Sequence, residues 1–304
     1  MAAVPAPVRA LSGAAFATLL LIALLMGANH VSARIAFNNG VDVATAVVFR
    51  SFITALVVVA IFSTQGVRPR FTARNKRYLP IIGLLIGVQS LCLYSSVARL
   101  PVALALLAFN TYPIWTAFWS FVVYRKQPEK PMLVAMPVIL VGLALALDVF
   151  GAASGLGASG QWARIGAGVA FALAAAATFG LALVFTQHES AEVDGRVRTA
   201  STMAIAGVVA LTLVGAQGGF HLPANAAGWG GLAGLTLLYG TGFTLMFTVL
   251  PRLGVVGNSA IMNVEPVFAL VLAWLILGQA IAPVQVVGAL IVVGAVMVLG
   301  LRKS

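Results

Sequence analysis

The chain has 304 residues, of which 61% are hydrophobic and only 8% are charged, and its mean hydropathy is +1.05. A soluble protein of this length needs roughly 25% charged residues to cover its surface, so the composition excludes a water-soluble fold. A net charge of +11 could indicate nucleic-acid binding in a soluble domain, but here the basic residues stand between apolar runs. That distribution is typical of loops facing a lipid surface, so we expect a lipid bilayer and no nucleic acid as partner.

Ten apolar stretches follow one another along the chain, each long enough to cross a bilayer as a helix. They lack the alternating polarity of membrane strands. The sequence therefore predicts an all-α integral membrane protein that forms one domain over residues 1–304. The ten predicted transmembrane helices cover residues 14–36, 44–63, 79–98, 102–124, 133–149, 165–186, 199–215, 228–249, 257–277 and 284–301.

The loops predict the orientation of these spans. With the amino terminus in the cytoplasm, most of the 18 Lys and Arg residues fall in cytoplasmic loops, so both termini are predicted to be cytoplasmic. Residues 151–160 are rich in Gly, Ser and Ala, which predicts a flexible linker between the fifth and sixth spans. A single cysteine, Cys92, and the lack of a His/Cys cluster predict no metal site, and we expect no cofactor.

The sequence also matches itself at an offset of 153 residues, where residues 94–113 align with residues 247–266 without a gap. The matched pairs include Arg99 with Arg252, Asn110 with Asn263, and Pro113 with Pro266. Chance matches between apolar helices would share Leu or Ala instead. The pattern predicts two five-helix repeats, 13–150 and 166–304. Because five is odd, the second repeat must be inverted in the membrane, which favours a secondary transporter, although some channels share this design.

Motifs over nearly the whole chain resemble the drug/metabolite transporter superfamily, in particular its ten-helix EamA-type branch. They lie at residues 25–34, 48–50, 98–101, 110–113, 265–266 and 277–288. Within that branch the chain is most similar to YddG-type amino-acid exporters. One departure is Gly278-Gln279, where these proteins often have Gly-Glu, so a carboxylate role cannot be assigned there.

The resemblance implies a monomeric secondary exporter in the bacterial inner membrane, which moves aromatic and other neutral amino acids out of the cytoplasm by alternating access. The alternatives are export of another amphipathic metabolite or drug, or a passive channel. We do not expect an enzyme, because the sequence has no nucleophile motif and no metal motif. It has no Walker motif either, so ATP hydrolysis is not expected to drive transport.

Two charged residues, Arg50 and Glu265, fall well inside predicted spans and away from their ends, where an unpaired charge is costly. Glu265 is expected to couple protons to transport, to bind a substrate ammonium, or to form an ion pair with Arg50. Pro113 and Pro266 fall near the middle of their predicted helices and are expected to act as hinges, because each removes a backbone donor.

Polar and aromatic side chains supply the candidate substrate-binding residues. For Asn110 and Asn263 the alternative is hydrogen bonding to backbone groups freed by the prolines, and for His30 it is a hydrogen bond between helices. For the aromatic residues the alternatives are core packing or a lipid-facing belt. The predicted set is Asn29, His30, Tyr94, Asn110, Tyr112, Trp115, Tyr239, Phe243 and Asn263.

Overall fold

A computed structural model describes residues 13–66, 71–128, 130–248 and 264–301. This part of the chain is helical and contains no strand. Its helices are α1 (Gly13–Asn38), α2 (Val43–Thr64), α3 (Ala73–Val97), α4 (Val102–Phe109), α5 (Tyr112–Tyr124), α6 (Lys130–Ala146), α7 (Gly157–Glu189), α8 (Gly195–Ala216), α9 (Ala226–Thr248), α10 (Glu265–Leu277) and α11 (Pro283–Leu301).

Several of these helices can span a membrane. Within the described residues, six segments are long and apolar enough to do so: α1, α2, α3, the α4–α5 pair, α7 and α8. Three more, α6, α10 and α11, are apolar but shorter. The outer surface carries large apolar side chains, and Leu56, Val134 and Leu237 are 65–70% exposed. A surface of this kind is suited to lipid.

The predicted span over residues 102–124 is confirmed as a candidate span, but it consists of two helices, α4 and α5. The helix is interrupted at Asn110 and Thr111, between α4 and α5. Pro113 lies in the first turn of α5, where a backbone N–H has no partner within the helix, so the N–H that proline lacks is not needed. Pro266 takes the same place in α10. Both prolines therefore lie in the first turn of a helix. Pro113 follows the interruption between α4 and α5, and the residues that precede Val264 lie outside the described part.

Helices α5 and α10 match at the sequence offset. Each is 13 residues long, and each ends before a residue with left-handed backbone, Arg125 with φ of 56° and Gly278 with φ of 63°. The part of the ninth predicted span that precedes Val264 lies outside the described residues.

The linker between the fifth and sixth spans is ordered, so the prediction of a flexible linker is wrong. Helix α7 already begins at Gly157. The Asp148 carboxylate accepts hydrogen bonds from the backbone N–H groups of Ala153 and Ser154 at 3.0 and 2.8 Å. The Gln161 amide donates to the carbonyl of Leu147 at 2.9 Å, which ties the start of α7 to the end of α6.

The contacts between helices are the same when each helix is replaced by its counterpart in the other half of the chain. The most extensive contacts are α1 with α9, α2 with α8, α3 with α7, and α6 with α11. At the offset of 153 residues, α1 corresponds to α7, α3 to α9, α2 to α8, and α6 to α11. Exchanging the corresponding helices turns the first contact into the third and leaves the other two unchanged. The packing therefore has the pattern expected for two related halves around a twofold axis.

Candidate functional site

The site begins at a close approach between α1 and α10. A Cβ atom placed at Gly27 would lie 3.0 Å from the backbone nitrogen of Ala269 and 3.2 Å from the carbonyl oxygen of Glu265. Only a glycine lets the two backbones come this close. His30 lies three positions further along α1 and so faces the same neighbour.

His30 and Glu265 form an ion-pair contact at this approach. His30 Nε2 lies 3.2 Å from Glu265 Oε1, and the His30 side chain is 7% exposed against 26% for Glu265. Glu265 is the first residue of α10, where the helix dipole favours a carboxylate. The alternative that paired Glu265 with Arg50 is wrong, because the partner of this carboxylate among the described residues is His30.

Arg50, on α2, is 3% exposed and has a different set of neighbours. Its Nη2 donates to Ser90 Oγ at 2.7 Å. Its guanidinium carbon lies 4.0 Å from the ring centroid of Tyr239 and 5.1 Å from that of Tyr94. Cation–π contact is thus the main electrostatic support that the described residues give this cation.

Tyr94 lies at the centre of these groups and is fully buried. Its hydroxyl donates to Asn29 Oδ1 at 2.9 Å, and its ring centroid lies 5.5 Å from that of His30. Tyr94 therefore contacts groups from α1 and α2, and Tyr239 adds a contact from α9. We call Asn29, His30, Arg50, Tyr94, Tyr239 and Glu265 the central cluster.

Several buried polar atoms of the central cluster have no hydrogen-bond partner among the described residues. They are Asn29 Nδ2, His30 Nδ1 and Arg50 Nε. Nearby on α2, the hydroxyls of Ser51 and Thr54 are also unpaired. Buried polar groups are nearly always paired in proteins, so unpaired atoms gathered in one place indicate that a ligand or water supplies their partners.

The other predicted substrate-binding residues lie at different places in the structure. Phe243 extends the central cluster, because its ring lies 4.5 Å from that of Tyr239. Asn110 is buried at the α4–α5 break with its Nδ2 unpaired. Asn263 lies outside the described residues.

Tyr112 and Trp115 lie on the α5 surface that packs against α7. The ring centroids of Tyr112 and Phe179 lie 5.2 Å apart. Trp115 packs against Gly180, where an added Cβ atom would lie 2.9 Å from the Cβ of Trp115. In addition, Trp119 Nε1 donates to the carbonyl of Ala177 at 3.0 Å. This face of α5 therefore packs against α7, and Tyr112 also lies within electrostatic range of Glu265, beside the central cluster.

An open cavity of about 540 Å³ adjoins the central cluster. It lies between the carboxyl ends of α1, α3 and α8 and the start of α2, and Asp42, Arg99 and Gln217 are among its polar lining residues. Phe37 also lines it and meets the ring of Tyr94 edge-on at 5.9 Å. The Phe37 ring therefore stands between the cavity and the cluster.

Polar contacts fasten the helices beside this cavity, at the end where α1 and α2 are joined. The Asp42 carboxylate accepts from Thr45 N and from His221 Nδ1, both at 2.8 Å. Partial burial opposes ionisation of Asp42, but the bonds from Thr45 and His221 outweigh it and lower its pKa. The Asn225 amide donates to Asn39 Oδ1 at 2.8 Å.

A second set of contacts fastens the opposite end, where α7 and α8 are joined. The Glu189 carboxylate is bonded by the Arg74 guanidinium and by the Tyr124 hydroxyl. The Asn75 amide donates to Glu192 Oε1 at 2.7 Å and thereby lowers the pKa of that carboxyl. The Tyr124 ring stacks on His188 at 4.1 Å. Polar contacts thus hold helices together at both ends of the bundle, and the open cavity adjoins one of these ends.

Several polar side chains that make these contacts were not predicted from the sequence. Ser90 and its neighbour Gln89 form a polar pair inside an apolar helix, a signal that was available from hydropathy alone. The end contacts of Glu189, Arg74 and Tyr124 gave no such signal, because isolated charged residues near helix ends are common in any membrane protein.

A buried polar cluster inside a helical membrane bundle is a feature that membrane transporters share. The chain belongs to the EamA-like transporter family, whose model matches residues 12–147 and again residues 166–301. This double match confirms the resemblance to the EamA-type branch.

Solved structures share the fold. Twenty-six chains of such structures are similar to this one. One of them, described only as the crystal structure of a protein, is 18% identical and has a TM-score of 0.62 over 96% of this chain and 99% of its own. No curated protein sequence matches the chain.

Proposed function

We propose that this protein is a secondary transporter that exports aromatic and other neutral amino acids by alternating access. In this proposal ten spans cross the bacterial inner membrane as two inverted halves, the protein acts as a monomer, and both termini are cytoplasmic. The observation that carries the proposal is the central cluster, a buried polar site with donors that have no partner among the described residues.

The position of the cluster supports alternating access. Asn29, Arg50 and Tyr94 come from the first half of the chain, and Tyr239 and Glu265 come from the second. A rocking motion of one half against the other would therefore open the cluster to one side at a time. The contacts at the two ends would have to break in turn, and both consist of polar groups that water can replace.

The chemistry of the cluster supports an amino acid as substrate. The rings of Tyr94, Tyr239 and Phe243 offer apolar faces to an aromatic or aliphatic side chain. The polar groups of the same cluster can bind the charged ends of a zwitterion. Another amphipathic metabolite or drug that lacks charged groups would leave these polar groups unpaired, so the cluster favours an amino acid over that alternative.

The His30–Glu265 pair supports proton coupling. His30 Nε2 and Glu265 Oε1 lie 3.2 Å apart, so a proton can pass between the imidazole and the carboxylate. Protonation of the pair would change the interaction between α1 and α10 across the two halves. Export driven by the proton gradient then requires no nucleotide.

Transport by the purified protein in proteoliposomes tests the proposal. Vesicles loaded with unlabelled L-phenylalanine should accumulate radiolabelled L-phenylalanine by counterflow, with a rate that saturates as its concentration rises. A monodisperse protein that shows no saturable flux of any neutral amino acid would refute the amino-acid assignment.

A passive channel is distinguished by accessibility. Cysteines placed singly at Asn225 and at Glu192 lie at opposite ends of the bundle. Alternating access predicts that substrate raises the labelling of one and lowers that of the other. Parallel changes at both positions would support a channel.

A further inference from the structure

The buried guanidinium of Arg50 has no counter-ion in the described chain. Its contacts are Ser90 Oγ and the rings of Tyr94 and Tyr239, and its Nε has no partner. A cation at this depth is costly unless an anion or several hydrogen bonds compensate it. One hydrogen bond and two ring faces leave the charge of Arg50 only partly compensated.

The acidic residues in the described ranges are engaged elsewhere. The sequence contains seven Asp and Glu residues. Six lie in the described part, and their partners are His221 for Asp42, the backbone of Ala153 and Ser154 for Asp148, Arg74 for Glu189, Asn75 for Glu192, Arg196 for Asp194, and His30 for Glu265. The seventh, Glu129, lies outside the described residues, in the segment between α5 and α6.

The unpaired atoms near Arg50 are mainly donors. Arg50 Nε and Asn29 Nδ2 both carry hydrogens without an acceptor. Both residues contact Tyr94, through its ring and its hydroxyl respectively, so they lie on two sides of one side chain. A ligand that completes this arrangement must bring acceptor atoms and negative charge.

We propose that Arg50 binds the carboxylate group of the transported molecule, with Asn29 Nδ2 as a second donor. This inference rests on the proposed function and specifies its substrate class: a carboxylate is required, and an amine or amide of the same shape is not a substrate. The guanidinium presents a planar pair of donors that matches a carboxylate. The rings of Tyr94 and Tyr239 keep water away from this contact, which strengthens it.

The rest of the cluster fits a substrate with one carboxylate. Glu265 is the carboxylate of the cluster, and His30 is already its partner. The charge that remains uncompensated is the single positive charge of Arg50. A zwitterionic amino acid satisfies this charge with its carboxylate and can place its ammonium group near Glu265.

Ligand-induced thermal stabilisation tests the inference without requiring transport. The purified protein at fixed pH and ionic strength is heated with L-phenylalanine, 3-phenylpropionate, L-phenylalaninamide or phenethylamine. The first two carry a carboxylate and should raise Tm in a concentration-dependent way, whereas the amide and the amine should not. Equal shifts with L-phenylalanine and its amide, or no shift with either carboxylate, would overturn the inference.

Variants assign the effect to Arg50. Arg50→Gln should abolish the carboxylate-dependent shift, and Arg50→Lys, which keeps the charge but not the planar fork, should require about tenfold more ligand for the same shift. The matched control is Arg34→Lys, because Arg34 also lies in a spanning helix but donates to the carbonyls of Val97 and Leu100. It should keep the wild-type shift.

The outcomes separate this inference from the proposed function. If Arg50→Gln fails to fold, Arg50→Lys decides, and an unchanged ligand requirement in that variant would overturn the inference. Carboxylate-dependent shifts without counterflow of any neutral amino acid would refute the amino-acid assignment and leave the carboxylate site standing. Saturable counterflow of L-phenylalanine that persists in Arg50→Gln with an unchanged KM would refute the carboxylate site alone.

Discussion

The contact between α1 and α9 gives a sharp test of the packing, because two neighbouring glycines in α9 differ in their surroundings. A Cβ atom at Gly231 would lie 2.5 Å from the backbone nitrogen of Ala36 and 2.8 Å from the carbonyl oxygen of Ser32. A Cβ at Gly230 would meet no atom within 4 Å. Gly231 therefore lies in the contact between α1 and α9, as does Gly234, which faces Ser32, whereas Gly230 lies outside it.

The expected effect of substitution follows from these distances. Gly→Ala stabilises a helix by about 0.8–1 kcal/mol at either position, so this gain cancels when the two variants are compared. In Gly231→Ala the backbones of α1 and α9 must separate by about 1 Å to restore van der Waals contact. Overpacking of this kind costs about 1–3 kcal/mol, and that is the predicted difference in stability between Gly231→Ala and Gly230→Ala.

Thermal unfolding of the two variants in the same detergent measures this difference. Gly230→Ala should match or exceed the wild-type Tm, whereas Gly231→Ala should unfold at a lower temperature. Because α1 also carries Asn29 and His30, Gly231→Ala should in addition reduce counterflow more than Gly230→Ala does. Equal Tm values for the two variants would refute the close approach between α1 and α9.

Three further predictions concern single side chains. Glu265→Gln removes the carboxylate beside His30 and should abolish the pH dependence of transport while binding stays measurable; an unchanged pH profile would contradict proton coupling. Asp42→Ala removes the N-cap of α2 and should cost about 1 kcal/mol at neutral pH. Because folding lowers the pKa of Asp42, the contribution of Asp42 to stability is present above the unfolded value of 3.8 and is lost as pH falls below that value. A difference in Tm between wild type and Asp42→Ala that persists in stronger acid would contradict this account. Gln279→Leu should cost about 1 kcal/mol, since Gln279 Oε1 accepts from the backbone N–H of Val102 at 3.0 Å, while Gln279→Glu keeps the acceptor; equal Tm losses in both would show that this bond is unimportant.

Much of the candidate site could be named from the sequence, because polar residues inside apolar helices need a reason. Asn29, His30, Arg50, Tyr94, Tyr239 and Glu265 all lie in the central cluster. Their pairing could not be predicted. An intramembrane acid and an intramembrane base suggest one ion pair, yet Glu265 pairs with His30 because Gly27 brings α1 against α10. Arg50 lies on α2 and meets Tyr239 of α9 instead.

The aromatic residues show the same limit. The spacing of Tyr112, Trp115 and Trp119 correctly places them on one face of a helix, but it does not identify the neighbour of that face. The structure packs this face against α7, where Gly180 leaves room for Trp115 and the carbonyl of Ala177 accepts from Trp119. Side chains of the same type serve either a cavity or a helix contact, and only the rotation of the helix distinguishes the two.

The sequence by itself determined the class of the protein: a membrane protein made of apolar helices, with two related halves. The physical reason is that a chain in lipid must satisfy its backbone within each helix, so hydropathy and length reveal the helices locally. The tertiary structure alone decided where helices break, which faces meet and which charges pair. These features depend on contacts between residues far apart in the chain, and a separation of 1 Å between two backbones is enough to change them.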